Sequence, residues 1–269
     1  MSEIIKKIQR RLLKTNKNWL CCVCGATGSG KSYTAIQLAS KIDSDFTIDN
    51  VVFNSEDFMS LLNSGRMKRG SIIIWDEAGV GMAAREWYTI SNKAINYVFQ
   101  TFRHMNIGVI MTTPSFDYLD SQVRKLFHSY IETKYVDIDR GEVVVKYMEV
   151  SFNPRFGKVY FKYPRINGKV IDELTISKPN KVLVDAYEII KGEFSKDLRD
   201  DVAKDVTAIR DKEQKRRLTN DQIVDELKAW EIPDDMKDSN TKLQGYIQVK
   251  YRIGKDKAYY CAHLAGILN

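Results

Sequence analysis

The chain has 269 residues, with 42 Lys+Arg against 35 Asp+Glu for a net charge of +7, 43% hydrophobic and 29% charged residues. This balance excludes a mainly disordered chain, because 11 Phe, 14 Tyr and 4 Trp supply ample apolar area to bury. No run approaches the ~18 apolar residues of a membrane span, and Lys6, Lys7, Arg10 and Arg11 interrupt the first apolar stretch where a secretory leader would not. Four cysteines make no disulfide framework at this length, so the expected setting is a reducing cytoplasm, that of a host cell if the chain is viral.

In chain order, residues 4–13 predict a short amphipathic helix, with Ile4, Ile5, Ile8, Leu12 and Leu13 on one face and basic residues on the other. Residues 19–24 (Trp-Leu-Cys-Cys-Val-Cys) are continuously apolar, as a strand buried on both faces of a parallel sheet should be. Cys21 and Cys22 then point to opposite faces and share no metal; the cysteines read as small buried hydrophobes. A glycine-rich turn follows. Next comes a helix over 32–42, with Ala35, Leu38, Ala39 and Ile42 on its inner face. Residues 51–53 predict a short strand, and Asn54 and Asp57 mark a helix start before Phe58, Leu61 and Leu62. Residues 71–75 are a further buried strand, residues 91–103 a helix, and residues 107–113 a strand stopped by Pro114. Strands alternating with helices predict a mostly parallel sheet covered on both faces, an α/β class.

The texture then changes. Residues 130–138 and 142–152 are β-rich and flank Asp139-Arg140-Gly141, a hairpin signal, and 159–163 add a strand. From Leu183 the chain is helical for about 35 residues, with Tyr187, Ile190, Phe194, Leu198, Val202, Val206 and Ile209 recurring at helical spacing. Thr219 with Gln222 is a capping-box signature for a helix carrying Ile223, Val224, Leu227 and Trp230, ended by Pro233. Residues 242–252 and 256–264 read as two helices joined at Ile253-Gly254-Lys255, the spacing of a helix-turn-helix. The expected organisation is a domain over 1–180 with a basic N-terminal helix and a β-hairpin extension, a helical linker over 181–218, and a small helical module over 219–269.

Gly25-Ala26-Thr27-Gly28-Ser29-Gly30-Lys31-Ser32 fits G-x-x-x-x-G-K-[ST], between a buried strand and a helix, the context that the pattern requires. The glycines let backbone N–H groups turn inward toward phosphate oxygens, and the helix that Tyr33 continues presents its positive N-terminus to the same anion. Lys31 reaches the β- and γ-phosphates, and the Ser32 hydroxyl is a ligand for Mg²⁺. Ile72 to Trp75 end in Asp76-Glu77, at the sheet edge where parallel-sheet ligands bind. Asp76 is expected to hold Mg²⁺ through water and Glu77 to polarise an attacking water. ATP and Mg²⁺ are the expected cofactors.

These residues resemble a known group. Gly25 to Ser32 look like a Walker A motif, and Ile72 to Glu77 like a Walker B motif with an adjacent catalytic glutamate. One extra strand between them is similar to the additional-strand division of P-loop ATPases. Arg103-His104 before the fourth strand and Thr112-Thr113 at its end resemble the FtsK/HerA superfamily, which includes zonula-occludens-toxin-like phage proteins and viral genome-packaging ATPases. The resemblance covers about residues 19–131. It implies an arginine finger acting in trans, carried over to Arg103, with Arg85 and Arg124 as rivals. It also implies a polar sensor at the strand end, carried over to Thr113 or Thr112, where a threonine stands in place of the usual glutamine. A trans finger implies a homo-oligomer, such as a hexameric ring. His104 and His128 read as structural, since this chemistry needs no histidine base.

Charge adds a partner. Residues 1–18 carry six Lys/Arg and one acid, residues 241–269 five and one, and the stretch 219–240 between them two Lys and seven acids. Two basic ends suggest a polyanion, read as DNA, chiefly double-stranded. Lys255, Lys257 and Tyr259 would lie at the start of a recognition helix, with Lys250 and Arg252 adding backbone contacts. The first reading is an ATP-hydrolysing, DNA-associated motor of the translocase or packaging kind. The alternative is a nucleotide-switched DNA-binding regulator or initiator.

Overall fold

The computed structural model describes residues 1–78, 105–216, 218–233, 236 and 239–268. The helix expected over 91–103, with Arg85, Arg103 and His104, lies outside the described residues. The chain divides into two compact units, Met1–Ser195 and Lys196–Asn269.

The first unit is built on a sheet ordered β10-β6-β5-β1-β4-β3-β2, with β7 paired to β6. Helix α1 (Ser2–Lys14) precedes β1 (Trp19–Cys24), and α2 (Lys31–Ile42) follows it. Then come β2 (Val51–Val52), α3 (Ser55–Asn63), β3 (Ile72–Trp75), β4 (Gly108–Thr113) and α4 (Ser121–Arg124). The strands β1 to β4 run parallel to their neighbours, with Trp19 opposite Gly108, Ile72 opposite Gly108 and Val51 opposite Ile74. Their burial on both faces matches the unbroken apolar runs that define them. Alternation divides β1 between two cores. Cys21 and Val23 pack with Ile5, Ile8, Ala35 and Ile36 on one face; Leu20, Cys22 and Cys24 pack with Phe58, Leu61 and Val109 on the other. All four cysteines are free and buried.

The hairpin does more than extend from this sheet. Its first strand, β5 (Ser129–Asp137), pairs in parallel with β1, Cys21 opposite Ser129 and Cys24 opposite Glu132. Strand β6 (Glu142–Asn153) returns antiparallel, then β7 (Lys158–Lys162) pairs with the far half of β6. Because Asp137 pairs with Glu142, the connection is residues 138–141, one longer than the turn signal implied, with Gly141 at φ +64°. Three short strands carry too little pattern to be read from sequence: β8 (Arg165–Ile166), β9 (Lys169–Val170) and β10 (Leu174–Ser177), the last antiparallel to β6.

Helix α5 (Lys181–Arg216) follows. Its first turns belong to the first unit, where Tyr187 is buried and Leu183, Ile190 and Phe194 pack on the same core. Farther along, Val202 and Val206 are more than half exposed, so the apolar spacing continues past the surface it covers. Leu13 likewise departs from the expected stripe: it is 48% exposed, its tip against Gly70, because one residue past Leu12 turns it about 100° off the buried face.

In the second unit, α6 (Asn220–Lys228), α7 (Asn240–Tyr251) and α8 (Lys255–Leu264) enclose Ile223, Leu227, Leu243, Ile247, Ala258 and Cys261. Thr219 and Gln222 form the reciprocal capping box that their spacing predicts. Residues 252–254 join α7 to α8, with Arg252 left-handed at φ +51°. Lys250, expected to face a phosphate backbone, lies over the rings of Trp230, Tyr246 and Tyr251 at 5.7, 5.9 and 5.2 Å.

His128 is structural. Its Nδ1 accepts from the Leu20 backbone N–H at 3.0 Å, which requires a neutral ring. Burial, with Arg11 and Lys17 adding to it, lowers its pKa from 6.5 to about 3. The unfolded chain therefore binds one more proton than the folded chain between pH 6.5 and about 3, and stability falls as pH falls through that window. In His128→Asn, where an amide oxygen can accept the same bond, the slope of Tm against pH between 6.5 and 5 should be clearly shallower than in wild type, as read by calorimetry.

Candidate functional site

The carboxyl ends of β1, β3 and β4 meet at one sheet edge, and three segments there form a single polar cluster. The first is the turn after β1. Gly30 ends it at φ +85°, and a Cβ there would sit 2.7 Å from Val143 Cγ2. At Gly25 a Cβ would fall 1.9 Å from Thr133 Oγ1. Thr133, on β5, bonds Ser29 Oγ at 2.6 Å and donates to the Cys24 carbonyl at 3.1 Å, fastening the turn to the neighbouring strand. The Ser29 hydroxyl is also 2.7 Å from the Ala26 carbonyl, and its single proton serves either that oxygen or Thr133 Oγ1. Ala26, Thr27 and Gly28 form the exposed crown. The Lys31 ammonium folds back and donates to the carbonyls of Gly25 and Ala26 at 2.9 and 2.8 Å. Burial lowers its pKa, opposed by Asp76 and Glu77.

The second segment is the end of β3. Asp76 is fully buried. Its carboxylate accepts from Ser32 Oγ at 2.9 and 3.1 Å, from Thr112 Oγ1 at 2.6 Å and from the Tyr187 hydroxyl at 2.5 Å, with Lys191 Nζ at 3.4 Å. Glu77 turns the chain at φ +52°, a left-handed conformation costing about 1–2 kcal/mol for a non-glycine residue. Backbone bonds hold it there: Asp76 N to Val52 O at 2.9 Å and Ala78 N to Thr112 O at 3.0 Å, while Glu77 N donates to Thr112 Oγ1 at 2.8 Å. The Glu77 side chain, about one-third exposed, pairs with Lys191 at 2.8 Å.

The third segment is the end of β4. Alternation gives its two threonines different partners. Thr112 faces Asp76 and Glu77; Thr113, carried over as the sensor position, instead donates to the Ser115 carbonyl at 3.1 Å. Of the two, Thr112 is the one that touches Asp76 and the Glu77 N–H. The Tyr33 hydroxyl, one residue past Ser32, donates to Glu188 at 2.8 Å, and burial, then Glu188, pushes its pKa up to about 12. Arg124 pairs with Asp117 and lies 5.9 Å from the Phe116 ring centre.

Helix α5 contributes two residues that the sequence reading did not place here. Tyr187 and Lys191, four apart, lie on the helix face that meets Asp76. Burial works against the Lys191 charge, but Asp76 and Glu77 outweigh it and its pKa is raised. Burial and then Asp76 push the Tyr187 pKa far up, so the phenol stays a donor. The available signal was a lysine one turn beyond Tyr187, beside the apolar stripe of a helix. Among the described residues, no cluster of three or more His, Cys, Asp or Glu is arranged to hold a metal.

The chain matches the family model described as Zonular occludens toxin (Zot) over residues 39–137. The match includes Asp76 and Glu77 and begins after the glycine-rich turn. It bears out the resemblance to zonula-occludens-toxin-like P-loop proteins read from the motifs. The sequence has no match among curated proteins. Among solved structures, the N-terminal domain of zonular occludens toxin from Neisseria meningitidis is similar at 16% identity and a TM-score of 0.34, over 56% of this chain and 96% of that one. The DNA-packaging ATPase B204 from Sulfolobus Turreted Icosahedral Virus is similar at 17% identity and a TM-score of 0.33, over 56% of this chain and 98% of that one. The genome packaging NTPase B204 from Sulfolobus turreted icosahedral virus 2, solved with ATP-gammaS, shows 15% identity and a TM-score of 0.31, over 57% and 100%.

Thr112→Val keeps the side-chain shape but leaves the Glu77 N–H and one Asp76 bond without a partner. It should destabilise the chain by about 2–6 kcal/mol, at about 1–3 kcal/mol for each of the two groups. Thr113→Val breaks one bond and should cost about half as much or less. Urea unfolding of the two variants tests this order.

Proposed function

We propose that the chain is a Mg²⁺-dependent ATPase that acts as an oligomeric, DNA-associated motor of the FtsK/HerA type. The observation that carries this reading is the bond between the Ser32 hydroxyl and the buried Asp76 carboxylate, beside Lys31 and the glycine-rich turn. A phosphate-binding loop and a strand-end acid converge there on one point. The residues fit a divalent cation: Ser32 and Asp76 supply oxygen ligands, and one ammonium, that of Lys191, already pairs with both carboxylates.

In this reading the backbone of residues 25–30 and the α2 N-terminus take the phosphates. Lys31 exchanges the Gly25 and Ala26 carbonyls for β- and γ-phosphate oxygens. Ser32 and Asp76 would hold Mg²⁺, which would supply positive charge against the transferring phosphoryl group. Glu77 orients an attacking water and accepts its proton. It can do so only after Lys191 has left it, because a carboxylate tied to an ammonium is a poor base. Nucleotide entry and release of α5 from Asp76 are therefore coupled, and Thr112 senses the exchange through Asp76 and the Glu77 N–H. Arg103 is the proposed trans finger. DNA contact through the basic α1 and through α8, with Lys255, Lys257 and Tyr259, belongs to the same proposal. The nucleotide-switched regulator is the second reading. It is favoured by α5 itself, an unbroken helix from Lys191 into the second unit.

Lys31→Ala should abolish nucleotide binding. Glu77→Gln should bind a fluorescent ATP analogue as wild type does, yet hydrolyse ATP about 10²–10⁴-fold more slowly. Full turnover in Glu77→Gln would remove the role given to Glu77. Lys191→Ala should tighten Mg²⁺-nucleotide binding and speed amide hydrogen exchange across residues 183–194 in the absence of nucleotide. Unchanged exchange there would contradict the coupling. Turnover per chain that rises with protein concentration, and again with long duplex DNA, supports the motor; turnover indifferent to both supports the regulator.

A further inference from the structure

The sheet carries a second chemically distinctive edge, far from Gly25–Ser32. Strand β6 runs antiparallel to β5, so Glu142 lies at the end near the glycine-rich turn and Asn153 at the opposite end. There the chain continues through β7 to β9. Residues 151–170 hold five bases (Arg155, Lys158, Lys162, Arg165, Lys169), no acid, and five aromatics. All five aromatics are exposed: Phe152 36%, Phe156 62%, Tyr160 42%, Phe161 43% and Tyr163 38%. Such a density of exposed rings on one short segment calls for a function.

The pairing of β6 with β7 sorts these side chains. Ser151 lies opposite Tyr160, and Asn153 opposite Lys158. Lys158, Tyr160 and Lys162 therefore alternate down one face, interleaved with a hydroxyl and an amide. Phe161 turns the other way, against Phe116 and Tyr130. The face ends in a cavity of about 580 Å³ lined by Ser151, Phe152, Asn153, Pro154, Tyr160 and Lys162. Two bases lie over exposed rings: Lys125 over Phe152 at 5.4 Å and Arg155 over Phe156 at 5.6 Å. Glu149, opposite Lys162, bonds Lys7 of α1. Beyond it a cleft of about 320 Å³ takes in Lys6, Lys7, Arg10 and Arg165. Its two acids, Glu3 and Glu149, are each paired with a lysine, so the unpaired charge there is positive.

We propose that this edge, from Phe156 through Tyr160 and Lys162 to Arg165 and Arg10, binds a single-stranded nucleic acid. Exposed rings stack on unpaired bases, which a duplex keeps to itself, and bases along the same track meet the phosphates. Ser151 and Asn153 supply hydrogen-bonding groups between the rings, where a lipid-inserting surface would place aliphatic ones. Five bases without an acid repel a second copy of the same patch. The inference rests on the nucleic-acid reading above, shares the basic α1 with it, and adds the aromatic edge of residues 152–165, which that reading did not use. It does not depend on ATP hydrolysis.

The test is fluorescence anisotropy of the full chain with a labelled oligothymidylate of about 20 nucleotides, longer than one such platform covers, and with a duplex of equal length. Phe156→Ala with Tyr160→Ala should raise the Kd for the single strand about 10-fold or more while changing duplex binding much less. Lys158→Gln with Lys162→Gln should reduce the slope of log K against log salt by about 1.4, at ~0.7 per phosphate contact. These four positions are solvent-facing and remote from Lys31, so binding of a fluorescent ATP analogue should be unchanged and reports that the variants fold. Unchanged single-strand affinity in both double variants overturns the proposal. So does loss, in the aromatic variant, of binding to phosphatidylserine-containing vesicles or of self-association in place of oligonucleotide binding. If Lys255→Ala with Lys257→Ala alone abolishes binding, the surface is wrong and nucleic-acid association stands. If wild type binds neither nucleic acid, both fall.

Discussion

A carboxylate removed from water must be met by donors, and Asp76 is met from three directions. Ser32 reaches it from the first turn of α2, Thr112 from the end of β4, and Tyr187 with Lys191 from α5. An unpaired buried charge costs several kcal/mol, so each of these elements is tied to the end of β3. Apolar contacts reinforce the arrangement: Phe194 stacks on Phe53 with ring centres 4.5 Å apart, and Tyr33 meets Tyr187 edge-on at 6.1 Å. The glycine-rich turn, the strand-end acids and the long helix form one cooperative polar centre.

Topology explains why that centre lies where it does. Parallel strands bring their carboxyl ends to one edge, so the segments after β1, β3 and β4 become neighbours although far apart in sequence. The antiparallel β5–β6 hairpin plays a second role there. Thr133 closes over Gly25 and Val143 over Gly30, leaving no room for a Cβ at either glycine. The opposite end of the same hairpin, beyond Asn153, is released from those constraints and carries exposed rings and bases. One hairpin thus braces the turn at one end and presents a separate surface at the other.

Much of this was legible in the residues. Continuous apolar runs marked β1, β3 and β4 because burial on both faces leaves no room for polar residues. The glycine-rich pattern declared its turn, and the Thr219–Gln222 pair its helix cap. Other features left weak local signals. The pairing of β5 with β1 is a long-range choice that no local pattern records. Two-residue strands such as β8 and β9 have no periodicity to detect. Two adjacent threonines look alike in sequence, and only the strand's pleat turns Thr112 to Asp76 and Thr113 to Ser115. Lys191 looked like an ordinary charge on a helix, because its partners lie more than a hundred residues earlier. The three rings around Lys250 come together only in the fold, from Trp230, Tyr246 and Tyr251.

The measurement that tests the central claim most directly is a crystal structure of the chain with a non-hydrolysable ATP analogue and Mg²⁺. The account predicts phosphates inside the turn of residues 25–30, the cation on Ser32 and Asp76, Lys31 on phosphate oxygens and no longer on the Gly25 and Ala26 carbonyls, and Lys191 withdrawn from Asp76. A nucleotide seated elsewhere, or seated here with Lys191 still on Asp76 and Glu77, would contradict it.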